Sequence, residues 1–290
     1  MNMTRRQFIK MTASVAGAAA LKASPALSCA DPGPVSPAIN PVYLTGSASN
    51  WPLAQLAAIG YRALELTPAC LAGVAQIKSA AQSAGLEIVC VNALPELRAY
   101  LTGSLSDAVA RNLRDTLQRL LQALAQMRKH EIPLLVVAPS RLAENYQTPA
   151  EARALLVESL RELARAGDTM ILLSAAPFRM FTSSAEIAGL VDEVGMPNVA
   201  AALDVGHAVL AGENPAEAAG VLGKRLRYVQ VHDIDLRSGV PRLDRHLPLG
   251  EGSLKRADLD AVLRRLPVAI TITARDDPIA AARAALQWLR

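Results

Sequence analysis

Aromatic residues are scarce, at 3% of the 290 residues. Three Phe, two Trp and five Tyr cannot build the stacked platforms that bind single-stranded nucleic acid. A basic stripe is missing as well, although the formal charge is +4. Arg5, Arg6, Lys10 and Lys22 lie in the first thirty residues, which hold no acid; taking those four bases from thirty leaves 26 against 26 acids. The rest of the chain is therefore neutral, and nucleic acid is not expected as a partner. Cysteine is rare too. Cys29 falls in the N-terminal segment, and Cys70 and Cys90 are too few for a disulfide framework; they read as small buried hydrophobes. No transmembrane span is expected. The apolar N-terminal stretch 11–21 falls short of the ~20 residues a spanning helix needs.

What is present begins with an address. "TRRQFIK", residues 4–10, followed by that weakly apolar stretch, resembles a twin-arginine export signal. It implies a periplasmic or secreted protein, with residues 1–30 as the signal and "DPGPVSPAINP", 31–41, as a linker. Lipidation at Cys29 of "ALSC" is the lesser reading, because Ala26 stands where a lipobox carries Leu.

Beyond the linker, short apolar runs alternate with longer amphipathic ones. The pattern predicts strands over 42–46, 63–66, 87–91, 134–138, 170–174, 199–204, 228–232 and 268–273. A long helix is predicted over Asp107–Lys129, with Leu113, Leu117, Leu120, Leu121 and Leu124 on one face. "TPAE" and "NPAE" each offer an N-cap, a first-turn proline and a glutamate at the third position; "SSAE" and "DDP" read similarly. Eight strand-then-helix units imply a parallel sheet, and a single α/β (β/α)8 TIM barrel over 42–290. The competing doubly wound sheet would bind nucleotides through a glycine-rich first turn, which "YLTGSASNW" does not supply.

In such a barrel chemistry belongs at the C-terminal strand ends. There the sequence places Glu65, Ala138, Ser174, Asp204 with His207, His232 with Asp233, and Thr271. The fourth histidine besides His207, His232 and His246 is His130, which closes a surface helix and suits its dipole. The loop from Asp233 to Ser253 runs 21 residues and contains "HLPLGEG". A connection that long is usually functional or disordered.

These residues resemble the xylose-isomerase-like sugar phosphate isomerase/epimerase barrels. "YRALEL", "LDVGHAVLAGENP", "RYVQVHDID", "HLPLGEG" and "ARDDP" follow that family's order and spacing across nearly the whole chain after the signal. The resemblance implies a divalent cation held by a glutamate ending strand five, an aspartate ending strand six, a histidine ending strand seven and a glutamate on strand eight. The two glutamates also move protons beside the sugar carbonyl. Asp204 stands at the aspartate position, His232 at the histidine position, and His207 at that of a substrate-contacting histidine.

The departures fall on the chemistry. Strand five reads "ILLSAAP", with Ser174 at the glutamate position, and strand eight reads "AITITARDD", with Thr271 at the other. Ala138 stands where a histidine is often found. Two hydroxyls replace neither two ligand charges nor two bases. The metal site is therefore expected to be degraded: Asp204 and His232 would bind Mn²⁺ or Mg²⁺ weakly or not at all, and no cofactor would bind tightly.

The implied function is an exported carbohydrate isomerase or epimerase with impaired or diverged catalysis. The alternatives are a non-catalytic carbohydrate- or protein-binding pseudoenzyme and a lyase acting on a keto-sugar. Glu65 and His207 are the candidate bases; His207, Glu65 and His246 are the candidate substrate contacts. The endonuclease branch of the superfamily, with its multi-zinc site, is disfavoured by four histidines, a neutral mature chain and an export signal. Oligomeric state is not legible in the sequence.

Overall fold

The computed structural model describes residues 37–39, 51–93, 107–139, 149–176, 181–236, 244–263, 266–272 and 277–290. Eight parallel strands close in sequence order: β1 Ala38–Ile39, β2 Ala63–Leu66, β3 Glu87–Asn92, β4 Leu134–Val137, β5 Met170–Leu173, β6 Val199–Asp204, β7 Leu226–Val231 and β8 Val268–Ile270. β1 joins the ends of the sheet, pairing Ala38 with Ala63 on one side and with Ala269 on the other. A single (β/α)8 barrel results. Among the described residues no helix is long and apolar enough to cross a membrane.

The first strand differs from expectation. The predicted strand 42–46 lies outside the described residues, and β1 falls at Ala38–Ile39, inside the segment 31–41 read as linker. It is only two residues long and sits between Pro37 and Pro41, so turn-type residues mask it in the sequence.

Helices alternate with the strands and start where the caps predict. Asn214 accepts from the backbone N–H groups of Ala216 and Glu217 to open Pro215–Leu222. Ser183 and Glu186 form a full capping box on Ser184–Val194. Asp277 caps Pro278–Leu289. The helix Asp107–Lys129 has the predicted bounds, with Leu117 and Leu124 buried against the barrel.

Strand alternation sorts side chains onto two faces. Leu64, Val91, Leu173, Leu203, Val229 and Ile270 pack in the outer core with the helices. Ala63, Cys90, Leu172, Ala202, Tyr228 and Ala269 pack together inside the barrel. Many of these inner residues are alanines, which leaves room along the axis. A polar cluster occupies part of it: the fully buried Glu65 accepts from Asn92 Nδ2 at 3.1 Å and Gln230 Nε2 at 2.8 Å. Cys90 and Tyr228 lie beside that carboxylate, and burial, followed by its negative charge, raises the pKa of both. Cys70 and Cys90 are free; Cys90 is buried and Cys70 half-buried.

Candidate functional site

The same alternation carries the inner face to the mouth. Glu65, Asn92, Ser174, Asp204, His232 and Thr271 each stand two residues beyond an inner-face position or continue its register, and all six are buried. Ser174 and Thr271 thus share the face of Asp204 and His232.

Asp204 ends β6 and caps the short helix Val205–Leu210, accepting from the backbone N–H of His207 at 3.1 Å. One residue thereby closes a strand and fixes the turn that presents His207. Gly206 is required in that turn, because a Cβ there would come within 2.2 Å of His232 Nε2. The imidazole of His232 packs directly on this backbone.

Three imidazoles and one carboxylate converge. His207, His232, Asp244 and His246 each offer a ligand atom, all within 4.8 Å of one another. His207 Nε2 lies 2.9 Å from Asp244 Oδ2, His232 Nε2 3.1 Å from Asp244 Oδ1, and His246 Nε2 3.3 Å from Asp244 Oδ2. The rings of His232 and His246 stack at 3.9 Å between centroids. Asp204 faces the cluster from the other side, with Oδ1 3.3 Å from His232 Nδ1 and Oδ2 3.5 Å from His207 Nδ1.

His246 sits in left-handed backbone, at φ 47°. That conformation costs of order 1–3 kcal/mol for a residue with a side chain and persists only where the surroundings enforce it. Its Nδ1 lies 2.6 Å from the carbonyl oxygen of Thr271. A carbonyl only accepts, so Nδ1 carries the proton and Nε2 is turned toward Asp244. Thr271 takes part through its main chain, while its hydroxyl is buried with no hydrogen-bond partner among the described residues.

Electrostatics separates the members. Burial would raise the Asp244 carboxyl, but the imidazoles of His207, His232 and His246 around it hold it far below the usual carboxylate range. Burial lowers His232, and the neighbouring His246 adds to this against the pull of Asp204 and Asp244. Burial also works against charge on His246, yet its bond to Asp244 and that group's charge raise it above the ordinary value.

Whether these residues suit a metal ion can be tested on His232. Among the described residues both its nitrogens are buried without an aligned hydrogen bond, and each faces a carboxylate oxygen. A neutral imidazole has one N–H, so one lone pair confronts a negative oxygen. A cation between them would turn that repulsion into two bonds. Asp244 lies 2.9–3.3 Å from the three imidazoles and all four donors fall within 4.8 Å of one another, a wider spread than the edges of about 3.3–3.6 Å in a tetrahedral site, so side-chain adjustment would close the group on an ion. The donor set fits a divalent ion, and three nitrogens suit zinc-type ions better than magnesium.

Of the residues singled out in the sequence, His207, His232 and His246 converge, with Asp204 against them. Glu65 is enclosed in the barrel with Asn92 and Gln230 and is not in the converging group. Glu251 is exposed. Asp244 was missed: the loop was flagged, but its "DRH" opening, two ligand types on alternate residues, was the available signal.

Residues 53–290 match the model of the xylose isomerase-like TIM barrel family, and residues 2–22 match the twin-arginine translocation pathway signal sequence. No curated relative matches the sequence. Among solved structures, the chain is similar to D-psicose 3-epimerase from Clostridium cellulolyticum H10, at TM-score 0.69 and 16% identity, covering 88% of this chain and 98% of that one. It is also similar to D-allulose 3-epimerase from Methylomonas sp., at 0.68 and 20%, over 90% and 98%. The 3-keto-D-glucoside 4-epimerase of E. coli aligns at 0.65 and 17%, over 88% and 99%. At these identities the likeness is one of fold.

Proposed function

Because the chain belongs to the xylose isomerase-like TIM barrel family and carries a twin-arginine signal, we propose that it is an exported carbohydrate-binding barrel with diverged chemistry, its pocket organised on a nitrogen-rich cation site. His207, His232, Asp244 and His246 hold the ion, and Asp204 orients His207 from behind. When bound, a divalent ion supplies Lewis-acid polarisation of a carbonyl or hydroxyl oxygen. The protein's own groups bind and orient the sugar. Ser174 and Thr271 do not exchange protons near neutral pH, so the two-glutamate shuttle is not the reaction run here.

The observation that supports this reading is the enclosed His232, its two nitrogens facing two carboxylates. This reading departs from the expectation that no cofactor binds tightly. Hard Mn²⁺ and Mg²⁺ bind weakly, and a softer ion of the zinc type binds more tightly.

The test is a titration of the metal-free chain with Zn²⁺, Co²⁺ and Mg²⁺, followed by calorimetry with a panel of aldoses and ketoses on the loaded and metal-free forms. Near one Zn²⁺ per chain, weak Mg²⁺ and sugar binding confined to the loaded form are expected. Sugar binding of equal strength without metal would leave a carbohydrate-binding barrel with no role for the ion. Failure of every metal to bind would overturn the cation site itself.

A further inference from the structure

His232 and His246 come from different segments, yet their rings stack at 3.9 Å. Something outside the two rings must hold the loop that carries Asp244 and His246. The residue after His232 is Asp233, fully buried, and it binds that loop twice. Its main chain pairs with Leu247 in both directions, N–H to carbonyl at 2.9 Å each way. Its carboxylate then gathers four backbone N–H groups. Oδ1 accepts from Ile234 at 2.8 Å and Leu254 at 2.9 Å; Oδ2 accepts from Gly250 at 3.0 Å and Gly252 at 2.9 Å.

The fit leaves no slack. A Cβ on Gly252 would stand 2.3 Å from Asp233 Oδ1, so the chain wraps the carboxylate as only glycine can. Ser253 N–H adds a bond to the Ile234 carbonyl at 2.8 Å. His232 immediately precedes Asp233, and His246 immediately precedes Leu247. The register of this one bridge therefore sets the spacing of the two imidazoles, and the left-handed backbone at His246 lies directly beside it.

We propose that Asp233 is a positioning residue of the cation site, its carboxylate clasping residues 247–254 so that Asp244 and His246 are held against His232. The proposal rests on the cation reading above for its effect on metal, but the clasp itself is a property of the metal-free chain. Each carboxylate oxygen accepts two N–H groups. In Asp233→Asn one of them becomes an NH₂ that confronts two donors with donors of its own, although size and shape hardly change.

The experiment compares the wild-type chain, Asp233→Asn and Ile77→Ala, which thins the core beneath a helix remote from the loop. Co²⁺ is titrated into each and its visible spectrum recorded. The intense bands of a four-coordinate site are expected in the wild type and in Ile77→Ala. Asp233→Asn should bind about 10- to 100-fold more weakly, the range found for outer partners of metal ligands, with the bands weakened. Separately, the metal-free proteins are treated with diethyl pyrocarbonate, and modification of His246 is followed by peptide mass spectrometry. It should be slow in wild type and Ile77→Ala and several-fold faster in Asp233→Asn. If Asp233→Asn does not fold, Gly252→Ala, which pushes the loop off the same carboxylate, should give the same pattern. Absence of Co²⁺ binding in the wild type, with His246 still unmasked by the variant, would remove the cation reading and leave the clasp standing. Wild-type Co²⁺ affinity, spectrum and His246 protection in the variant would overturn the proposal.

Discussion

β6 and β7 end in different chemistry from β5 and β8, although all four contribute inner-face side chains to one mouth. On the first side stand Asp204, His207 and His232, joined by Asp244 and His246 from the loop after β7. On the second stand Ser174, whose hydroxyl donates to the adjacent Ala175 carbonyl at 3.2 Å, and Thr271, whose hydroxyl has no partner among the described residues. Charge and metal-binding donors are thus collected at the ends of β6 and β7, while β5 and β8, which flank that pair in the barrel, end in neutral hydroxyls. The difference teaches that the donor-rich pair of strands is braced independently of the hydroxyls beside it, by a strand-end cap, a glycine contact and a buried carboxylate clasp.

The largest effect should come from breaking the rich side. Asp244→Ala removes the carboxylate shared by three imidazoles. Zn²⁺ affinity should fall by more than about 100-fold, beyond the usual cost of an outer partner, and the stabilisation that bound ion confers should vanish with it. Ser174→Ala and Thr271→Ala should leave that affinity unchanged. Equal losses on both sides, measured by competition with a chromogenic chelator, would erase the contrast.

Next is the attempt to make the two sides alike. Ser174→Glu with Thr271→Glu places two carboxylates at positions now 0% and 1% exposed. Without metal the variant should lose several kcal/mol of stability, because unpaired charges are being buried. Mn²⁺ should restore much of it and bind more tightly than to the wild type, and Asp244→Ala added to that variant should cancel the gain. Thermal denaturation with and without Mn²⁺ reads this out.

A smaller effect is expected at the brace. Gly206→Ala inserts a methyl where His232 Nε2 would lie 2.2 Å away. Overpacking of this kind costs about 1–3 kcal/mol. The urea midpoint should drop, and ion affinity should drop with it, since His232 must move.

The smallest effect lies away from the mouth. Burial would raise the Glu186 carboxyl, but hydrogen bonds from Thr182 and Ser183 lower it below its ordinary value. A carboxylate depressed in the folded state stabilises fully above its unfolded pKa of about 4.3 and loses that contribution as pH falls through the folded value. The stability gap between wild type and Glu186→Gln should therefore be open at pH 6–7 and close below pH 4. Ion binding at neutral pH should be untouched.

The fold was legible because its signals are local and repeated. Caps such as Asn214-Pro215 and Asp277-Pro278 announce helices, and the inner and outer strand faces follow from alternation alone. β1 was misplaced because two paired residues between prolines carry no periodicity. The site was legible where it sits on strands, as at Asp204 and His232. Asp244 escaped because its meeting with three imidazoles depends on how residues 244–254 fold back across Asp233, a long-range bridge whose one local sign is the alternation of Asp244 and His246 in "DRH". Glu65 shows the converse. Its strand-end position drew attention, but the alanine-lined interior gives it Asn92 and Gln230 as partners inside the barrel.

The central claim is that the donors collected at the ends of β6 and β7 form a single cation site. Crystals of the Zn²⁺-loaded chain, measured on both sides of the zinc absorption edge, test it most directly. One anomalous peak bonded to His207, His232, Asp244 and His246 is the predicted result. A peak held by Asp204 with Ser174 or Thr271, or no peak in crystals grown with excess Zn²⁺, would contradict the account.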